Sequence, residues 1–427
     1  MEESFLHHIW GHGLYGNGDF VTHSGKNVKI LNPGTYNRDA GPDFFNARVI
    51  IDGVEWAGNI EMHCQSSDWY VHGHHEDPTY DNVILSVVLI DDVKVFNTQK
   101  DEVECVILTY AKEMYDEFLF MKGTRQQPAC LRSLELLNDD WFYMTLQSLA
   151  IERLERKVTD IQVIMKQTKN NWGECLYRLI CKYWAGNVNE EPFYQLSLHL
   201  PYKVILKYIG HPEQIEALLF GVSGLLKEAG EDDYPQCLRK EYAFLKKKHR
   251  LSDMKAAQWK FMRIRPNAFP SLRLALLAAF LNKAGNFISY LPEIKTLKEL
   301  QSLFEAEAST YWNTHFLFSR PSYQKKKVVG EALGSMIVIN AIIPFIFLYG
   351  KERNDEALAS KAIDWLEEEK AENNFITNIW RGCGFVLDSA LQTQAVIQLH
   401  REYCEKHRCL QCKIGREVFK SIIRQDS

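Results

Sequence analysis

The sequence lacks the short motifs that identify several large enzyme classes. It has no Walker A loop, no dinucleotide-binding glycine fingerprint, no Gly-x-Ser-x-Gly elbow and no His-Glu-x-x-His pair. It also has no low-complexity linker and no fixed period strong enough to indicate a repeat protein. Function must therefore be sought in other patterns of residues.

Features of secretion and of membrane insertion are also scarce. The opening MEESFLHHIW is not a signal peptide, and ten cysteines in 427 residues fit a reducing compartment better than a disulfide scaffold. We therefore expect a cytoplasmic protein. The uncharged run 332–349 is long enough to cross a membrane, but it contains Ser335, Asn340 and Pro344. We predict a buried core helix there and no membrane partner.

Basic residues are few in the first part of the chain. Residues 1–125 hold 9 Lys and Arg against 20 Asp and Glu, whereas residues 126–427 hold 41 against 35. No Lys or Arg lies between Arg48 and Lys94, so the carboxylates there repel one another unless cations share the site. This pattern favours metal binding, and an acidic solvated surface is the alternative.

The order of periodic segments predicts two domains, as the length also suggests. Short strands with turn residues between them fill the first 110 residues, and from Asp139 onward helical periodicity dominates. The predicted strands include 27–31, 44–51, 54–63 and the nearly continuous apolar run 83–90, which is typical of a central strand. We predict an α+β protein: a mixed-sheet module in residues 1–125 and a large all-α domain in residues 126–427, with a cysteine-rich segment at 400–415.

Carboxylates and a histidine on two successive predicted strands indicate a metal site. Pro42-Asp43 enters one strand, and Glu61-x-His63 lies in the next. Since residues two apart in a strand share a face, Glu61 and His63 point together, and Asp43 can reach the same side. Two carboxylates with a third polar group suit Mg²⁺ or Mn²⁺ and leave positions for water and a phosphate oxygen.

Histidines are concentrated around this pattern. Eight of the 14 histidines fall within residues 1–75, and His72 and His74 follow Glu61 closely. These two are candidates to extend the metal site or to act as catalytic acid and base. The alternative is a solvated histidine-rich loop.

The Pro-Asp and Glu-x-His pattern resembles the PD-(D/E)XK nuclease superfamily, which has the restriction-endonuclease-like fold. There a Pro-Asp at the start of one strand is followed by Glu-x-Lys in the next, and these side chains position the metal and the attacking water. The resemblance implies Asp43 and Glu61 as metal ligands, with Glu3 of the first helix as a further acid. His63 replaces the lysine; it can still orient or deprotonate water, but it lacks the permanent charge of lysine.

A longer part of the chain, residues 41–85 together with LQCKIG at 410–415, is similar to an uncharacterised bacterial family known only as a domain of unknown function. This resemblance implies that the two parts belong together. It implies no activity.

Cysteines near the end of the chain form a second candidate metal site. Cys404, Cys409 and Cys412 make a metal knuckle for which a fourth ligand must come from elsewhere. The candidates for that ligand are Cys130, Cys383, His400 and His407. Zn²⁺ suits such a site. Some nucleases of the resembled superfamily hold an iron–sulfur cluster through one distant cysteine and a C-terminal group of cysteines. This resemblance implies Cys130 as the distant ligand here. Reduced thiols on a terminal helix are the alternative.

The leading hypothesis is a metal-dependent phosphodiester hydrolase, nuclease-like, with nucleic acid as its partner. The basic runs 246–250 and 325–327 are candidates for phosphate contacts, although each is also typical of a solvated helix end. The alternatives are a metal-dependent hydrolase of a small substrate, and a non-catalytic protein that binds nucleic acid or protein on a degenerate nuclease fold. The sequence does not indicate an oligomeric state.

Overall fold

A computed structural model describes residues 2–15, 18–37, 40–124, 128–186 and 188–425. The chain forms two compact units. The first unit combines Met1–Thr145 with Leu399–Ser427, and the second is Leu146–Gln398. The boundary therefore lies 20 residues beyond the predicted position at 125, and the C-terminal segment belongs to the first unit rather than to the helical domain. The prediction for the C-terminal segment was wrong because an amphipathic pattern shows that a helix packs on an apolar core, but does not show which of two cores it packs on.

The first unit opens with helix α1 (Glu3–Gly11) and is built on a mixed sheet. The strands are β1 (Asp19–Val21), β2 (Asn27–Asn32), β3 (Thr35–Tyr36), β4 (Phe44–Ile51), β5 (Val54–Gln65), β6 (Val83–Ile90), β7 (Val95–Phe96), β8 (Glu102–Val103) and β9 (Cys105–Ile107). Helix α2 (Asp68–Val71) follows β5, and α3 (Lys112–Gly123) follows β9.

The main sheet has the order β1-β2-β4-β5-β6-β9, with β3 paired to β4, while β7 and β8 form a separate pair. Strands β1 to β5 pair antiparallel, whereas β6 is parallel to both β5 and β9. Val83, Leu85, Val87 and Val88 of β6 are all buried. The predicted central strand is confirmed, because only a strand covered on both faces can bury consecutive apolar residues.

The hairpin of β4 and β5 positions the candidate site. Asp52 and Gly53 in its turn have φ of 46° and 82°, as a two-residue turn that matches the twist of the strands requires. Phe44 pairs with Ile60 in the resulting register. Asp43, directly before β4, therefore lies beside Glu61 on β5.

The second unit is helical, as predicted. Helix α4 (Asp139–Gln167) crosses the boundary between the units, and the side-chain oxygen of Asn138 accepts a hydrogen bond from the Trp141 N–H at 3.0 Å at its start. The helices that follow are α5 (Trp172–Trp184), α6 (Glu190–His199), α7 (Tyr202–Ile205), α8 (Pro212–Val222), α9 (Asp233–His249), α10 (Pro270–Ala284), α11 (Leu297–Ser302), α12 (Glu331–Ile337), α13 (Ile343–Arg353), α14 (Glu356–Glu368), α15 (Phe375–Gly382) and α16 (Ala390–Leu399). A short pair, β10 (His315–Leu317) and β11 (Arg320–Pro321), lies between α11 and α12.

Residues 254–262 do not form an α-helix, although helical periodicity dominates the sequence from Asp139 onward. This segment contains only a 3₁₀ turn, Ala256–Gln258. The Trp259 indole N–H donates to the carbonyl of Ser223 at 2.9 Å, and the Lys260 N–H donates to Asn189 at 2.9 Å. Bonds to distant parts of the chain thus replace the local bonds that a helix would make.

The apolar run predicted as a core helix forms α12 and α13, joined by a π-helical turn, Val338–Ile342. Among the described residues, Glu331–Arg353 is the one helix long and apolar enough to span a membrane. Most of it is buried inside the protein. The π turn ends at Ile342, so Pro344 lies in the first turn of α13, where its missing N–H is tolerated.

The last segment contains a π-helical turn, His400–Cys404, a 3₁₀ turn, Cys409–Gln411, and helix α17 (Lys413–Gln425). Ile414, Val418 and Phe419 of α17 are buried. The Phe419 ring lies 5.4 Å from that of His8 on α1, measured between centroids. This apolar stripe on α17 packs within the first unit.

Candidate metal centre

Asp43 is joined to Glu61 and to Met62 by two hydrogen bonds across the hairpin. The Asp43 N–H donates to Glu61 Oε2 at 3.0 Å, and Asp43 Oδ2 accepts the Met62 N–H at 3.0 Å. His7 Nε2 on α1 lies 3.1 Å from Asp43 Oδ2. The structure therefore brings together the two carboxylates expected from the sequence, and adds His7 in contact with Asp43.

Glu61 is buried among histidines. Its side chain is 8% exposed, and its Oε1 lies 3.1 Å from His74 Nε2 and 3.7 Å from His63 Nε2. Burial raises the pKa of Glu61, and the negative charge of Asp43 raises it further, while contact with His74 opposes the rise. A cation beside Glu61 would stabilise its charged form.

Three histidines converge on the same side of β5. Ring nitrogens of His63, His72 and His74 all lie within 4.8 Å of one another. The centroid distances are 5.1 Å for His63 and His72, 5.2 Å for His63 and His74, and 5.5 Å for His72 and His74. Such spacing allows the three imidazoles to bind one ion.

The chain after β5 turns back sharply to bring His72 and His74 to His63. The Ser67 N–H and the Ser66 hydroxyl both donate to Asp92 Oδ1 at 2.9 Å, which fixes the start of α2. Trp69 in α2 is fully buried, and its indole N–H donates to the carbonyl of Phe96 at 3.0 Å. The position of the two histidines is therefore set by packing and hydrogen bonds rather than by a free loop.

His63 has no hydrogen-bond partner although it is buried. It is 1% exposed, and neither ring nitrogen makes a hydrogen bond. Burial, together with the charges of His74 and His72, lowers the pKa of His63 to about 4. The ring is therefore neutral near pH 7, which is the form that binds metals. A buried polar group without a partner is costly, and a bound ion would satisfy one nitrogen.

Tyr80 closes the buried side of the cluster, and sequence reasoning missed it. Its ring stacks on His74 with centroids 3.8 Å apart. Burial raises the pKa of Tyr80 to about 12, with the negative charge of Glu61 as the next cause. Nothing in the sequence distinguishes this tyrosine from the other 18, because its role depends on the 3₁₀ turn Pro78–Tyr80.

Glu3, the further acid implied by the resemblance, lies near Cys64. Burial is the main cause that raises the pKa of the Cys64 thiol, and the charge of Glu3 adds to it. Cys64 follows His63 on β5, so the two side chains point to opposite faces of the strand. On α1 it is His7 that contacts Asp43.

The basic runs of the second unit are partly neutralised by their own neighbours. Lys246 lies 2.7 Å from Asp253, and Lys326 lies 3.1 Å from Glu307. Lys327 is 4% exposed and lies over the ring of Phe316 at 4.1 Å. These contacts reduce the charge that the two runs offer to a polyanion.

The chemistry of the cluster differs from that expected for two carboxylates alone. Three imidazoles suit Zn²⁺ and similar transition-metal ions, and the Glu61 carboxylate beside them would also suit Mn²⁺, whereas Mg²⁺ prefers oxygen ligands throughout. A site with three protein ligands keeps a position open for water or substrate, as catalytic metal sites do.

The fold and the site define a two-unit α+β protein whose mixed sheet carries a cluster of carboxylates and histidines that is buried at Glu61, His63 and His74 and exposed at His72. A family model described as a protein of unknown function, DUF2851, matches residues 3–375, and the chain belongs to this family. The match includes the whole cluster and ends before Cys404. No curated protein and no solved structure matches the chain. The predicted membership of a domain-of-unknown-function family is confirmed.

Proposed function

We propose that the protein is a metal-dependent phosphodiester hydrolase whose metal is held by His63, His72 and His74. The observation that carries the proposal is the convergence of three ring nitrogens beside a buried carboxylate, with neither ring nitrogen of the buried His63 hydrogen-bonded. A divalent transition-metal ion bound there would polarise a phosphoryl oxygen and lower the pKa of a bound water.

Glu61 is the group best placed to accept a proton from the attacking water. Its Oε1 faces His74 and His63, and its raised pKa brings it closer to neutral pH than an ordinary glutamate. Asp43 holds Glu61 in place through its own N–H. In this proposal His63 is a metal ligand, while Glu61 takes the role of base.

Phosphodiesters are favoured as substrates by the placement of the two acids. Asp43 directly precedes β4, and Glu61-x-His63 lies in the adjacent strand β5. This is the arrangement that resemblance to the PD-(D/E)XK nucleases implies, and on that ground we propose nucleic acid as the substrate class.

Hydrolysis of a small substrate is the second candidate. It is favoured by the lack of Lys and Arg between Arg48 and Lys94, since that part of the unit repels a polyanion. The ion pairs of Lys246 with Asp253 and of Lys326 with Glu307 also favour a small substrate, because they reduce the positive charge available to a polyanion.

The test compares metals and substrates on the full chain. Protein freed of metal is loaded with Mg²⁺, Mn²⁺ or Zn²⁺ and assayed on bis(p-nitrophenyl) phosphate and on single- and double-stranded DNA and RNA. We expect cleavage with Mn²⁺ or Zn²⁺. Cleavage of the small ester but of no nucleic acid would favour the second candidate, and no cleavage of any phosphodiester with any of the metals would contradict the proposed activity.

Variants of the cluster provide the controls. His63→Ala, His72→Ala and His74→Ala should each lose bound metal and activity. His75→Ala is the matched control, because His75 lies in the same turn but packs on Tyr70, with ring centroids 5.0 Å apart. Full activity in all three cluster variants would contradict the assignment of the ligands.

A further inference from the structure

The second unit contains a cavity of about 350 Å³. Helices α8 and α10 and the segment 305–309 form its walls. Small-molecule sites in proteins have volumes of about 300–1,000 Å³, so the cavity lies at the lower end of that range. It therefore has room for a small organic molecule.

Small side chains make the apolar part of the cavity wall. Ala278 and Ala279 line it from α10, and Ala306 lines it from the segment 305–309. Ala278 and Ala306 are buried, whereas Ala279 is half-buried. Larger side chains at these positions would fill the space. The alanine methyl groups suit the methylene groups of a ligand.

Glu216, on α8, is the buried acid of the cavity. It is 3% exposed, and the Tyr234 hydroxyl donates to its Oε2. The Trp312 indole N–H contacts the same hydroxyl at 3.3 Å, and the Tyr234 ring stacks on Tyr311 with centroids 4.2 Å apart. These contacts hold Tyr234, and through it the Glu216 carboxylate, in a fixed position.

The charge of Glu216 is not balanced by the basic residue beside it. Burial is the main cause that raises the pKa of Glu216 to about 7. Of the lining residues in the described part of the chain, only Lys283 is basic, and its Nζ donates to the carbonyls of Ser302 at 2.8 Å and Glu305 at 2.6 Å. A cation in the cavity would stabilise the charged form of Glu216. A shifted carboxyl group in a cavity is typical of a binding site.

Two further carboxylates line the exposed part of the cavity. They belong to Glu305 and Glu307. Glu307 lies 3.1 Å from Lys326, whose side chain is 77% exposed, and so exposed an ion pair contributes little and can exchange for another cation. The Ala308 N–H donates to the carbonyl of Lys327 at 2.9 Å, which fixes this segment. The cavity thus combines a buried acid, exposed acids and apolar wall.

We propose that this cavity binds a small aliphatic amine whose ammonium group pairs with Glu216. An ammonium group forms short, charge-assisted hydrogen bonds with a carboxylate. A diamine suits the cavity better than a monoamine, because Glu305 and Glu307 can pair with its second ammonium group. The site is separate from the proposed hydrolase activity, since its residues belong to the second unit and the histidine cluster belongs to the first.

The experiment is isothermal titration calorimetry of the full chain with three probes of the same carbon chain: 1,4-diaminobutane, butylamine and 1,4-butanediol. We expect saturable binding of the diamine, weaker binding of butylamine and no binding of the uncharged diol. Absence of diamine binding, or equal binding of the diol, would overturn the proposal. Equally tight binding of butylamine would overturn the preference for a diamine.

Proton release gives a second readout that does not depend on any enzymatic activity. Titrations in buffers of different ionisation enthalpy measure it. Since the pKa of Glu216 is about 7, amine binding should release part of a proton at about pH 7 and almost none at about pH 9. The other titratable groups near Glu216 are Glu213, Tyr234, Lys283, Glu305 and Glu307. Equal release in wild type and Glu216→Gln would assign the proton to one of these groups and contradict the proposal.

Matched variants locate the site. Glu216→Gln should bind the diamine about 10–100-fold more weakly, as loss of a hydrogen-bonded charge implies. Glu369→Gln is the control: Glu369 is 1% exposed in the same unit and accepts hydrogen bonds from Ser335 at 2.9 Å and Gln301 at 3.0 Å. Should Glu216→Gln fail to fold, Ala279→Leu fills the cavity from a half-buried position and should also lose binding. Unchanged affinity in either cavity variant, or loss of binding in Glu369→Gln, would contradict the assignment.

Discussion

Replacement of His63 by leucine should change stability in opposite directions with and without metal. The histidine is 1% exposed and neither of its ring nitrogens has a hydrogen-bond partner. A buried polar group in that state costs about 1–3 kcal/mol. Leucine has a similar volume and no polar atoms, so metal-free His63→Leu should be more stable than the metal-free wild type by about 1–2 kcal/mol.

Bound metal should reverse this order. A ligand at 100 times its dissociation constant stabilises the folded state by about 2.7 kcal/mol. The wild type gains this stabilisation, whereas His63→Leu loses most of it with the ligand. Above that concentration of Zn²⁺ or Mn²⁺, the wild type should therefore be the more stable of the two proteins.

Hydrogen exchange of peptides from β5 and α2, in increasing urea, measures this reversal in the first unit. His75→Leu, in the same turn, is the control and should show no reversal. Destabilisation of metal-free His63→Leu by more than about 2 kcal/mol would contradict this prediction, because it would show that the His63 ring makes favourable polar interactions even in the metal-free protein. An equal response of both proteins to metal would refute it too.

Three further predictions concern pH and the acids of the site. Burial lowers the pKa of His8 to about 3 in the folded protein, so His8 takes up a proton more readily in the unfolded chain. The free energy of unfolding should therefore fall as pH drops from about 6.5 to about 3. In His8→Phe, urea midpoints measured across this pH range should fall less. Glu61→Gln should keep its metal but lower kcat by about 10²–10⁴-fold. The fall of kcat at low pH should follow protonation of Glu61, whose pKa burial raises, rather than that of His63, whose pKa is about 4, and His63→Lys should abolish Zn²⁺-dependent activity.

Each of these predictions has a result that would contradict it. An unchanged pH dependence of stability in His8→Phe would show that His8 does not limit acid stability. Loss of metal from Glu61→Gln would make Glu61 a ligand rather than a base. Mg²⁺-dependent cleavage by His63→Lys would place the metal on Asp43 and Glu61, as the resemblance to PD-(D/E)XK nucleases implies.

Local patterns in the sequence were sufficient to predict the strands that carry the site. The Asp52-Gly53 turn and the shared face of Glu61 and His63 on β5 depend only on neighbouring residues, and both agree with the structure. The apolar run of β6 predicts a covered central strand for the same reason. Fold class therefore follows from periodicity and turn residues.

The rest of the site depends on contacts that no local pattern encodes. His7 reaches Asp43 because α1 packs beside β5, and Tyr80 reaches His74 through a short 3₁₀ turn. Helix α17 belongs to the first unit, and its buried Phe419 packs there. Only the assembled fold shows which unit buries this side chain. Spacing in the sequence brought His72 and His74 near Glu61, but could not show that neither ring nitrogen of His63 would make a hydrogen bond.

The central claim is that His63, His72 and His74 bind one divalent transition-metal ion. Its most direct test is anomalous X-ray diffraction from crystals of the metal-loaded protein, recorded on both sides of the zinc or manganese absorption edge. We expect one anomalous peak at bonding distance, about 2.0–2.1 Å for zinc, from a ring nitrogen of each of the three histidines. A peak located elsewhere, or no peak at the cluster after loading with either metal, would contradict it.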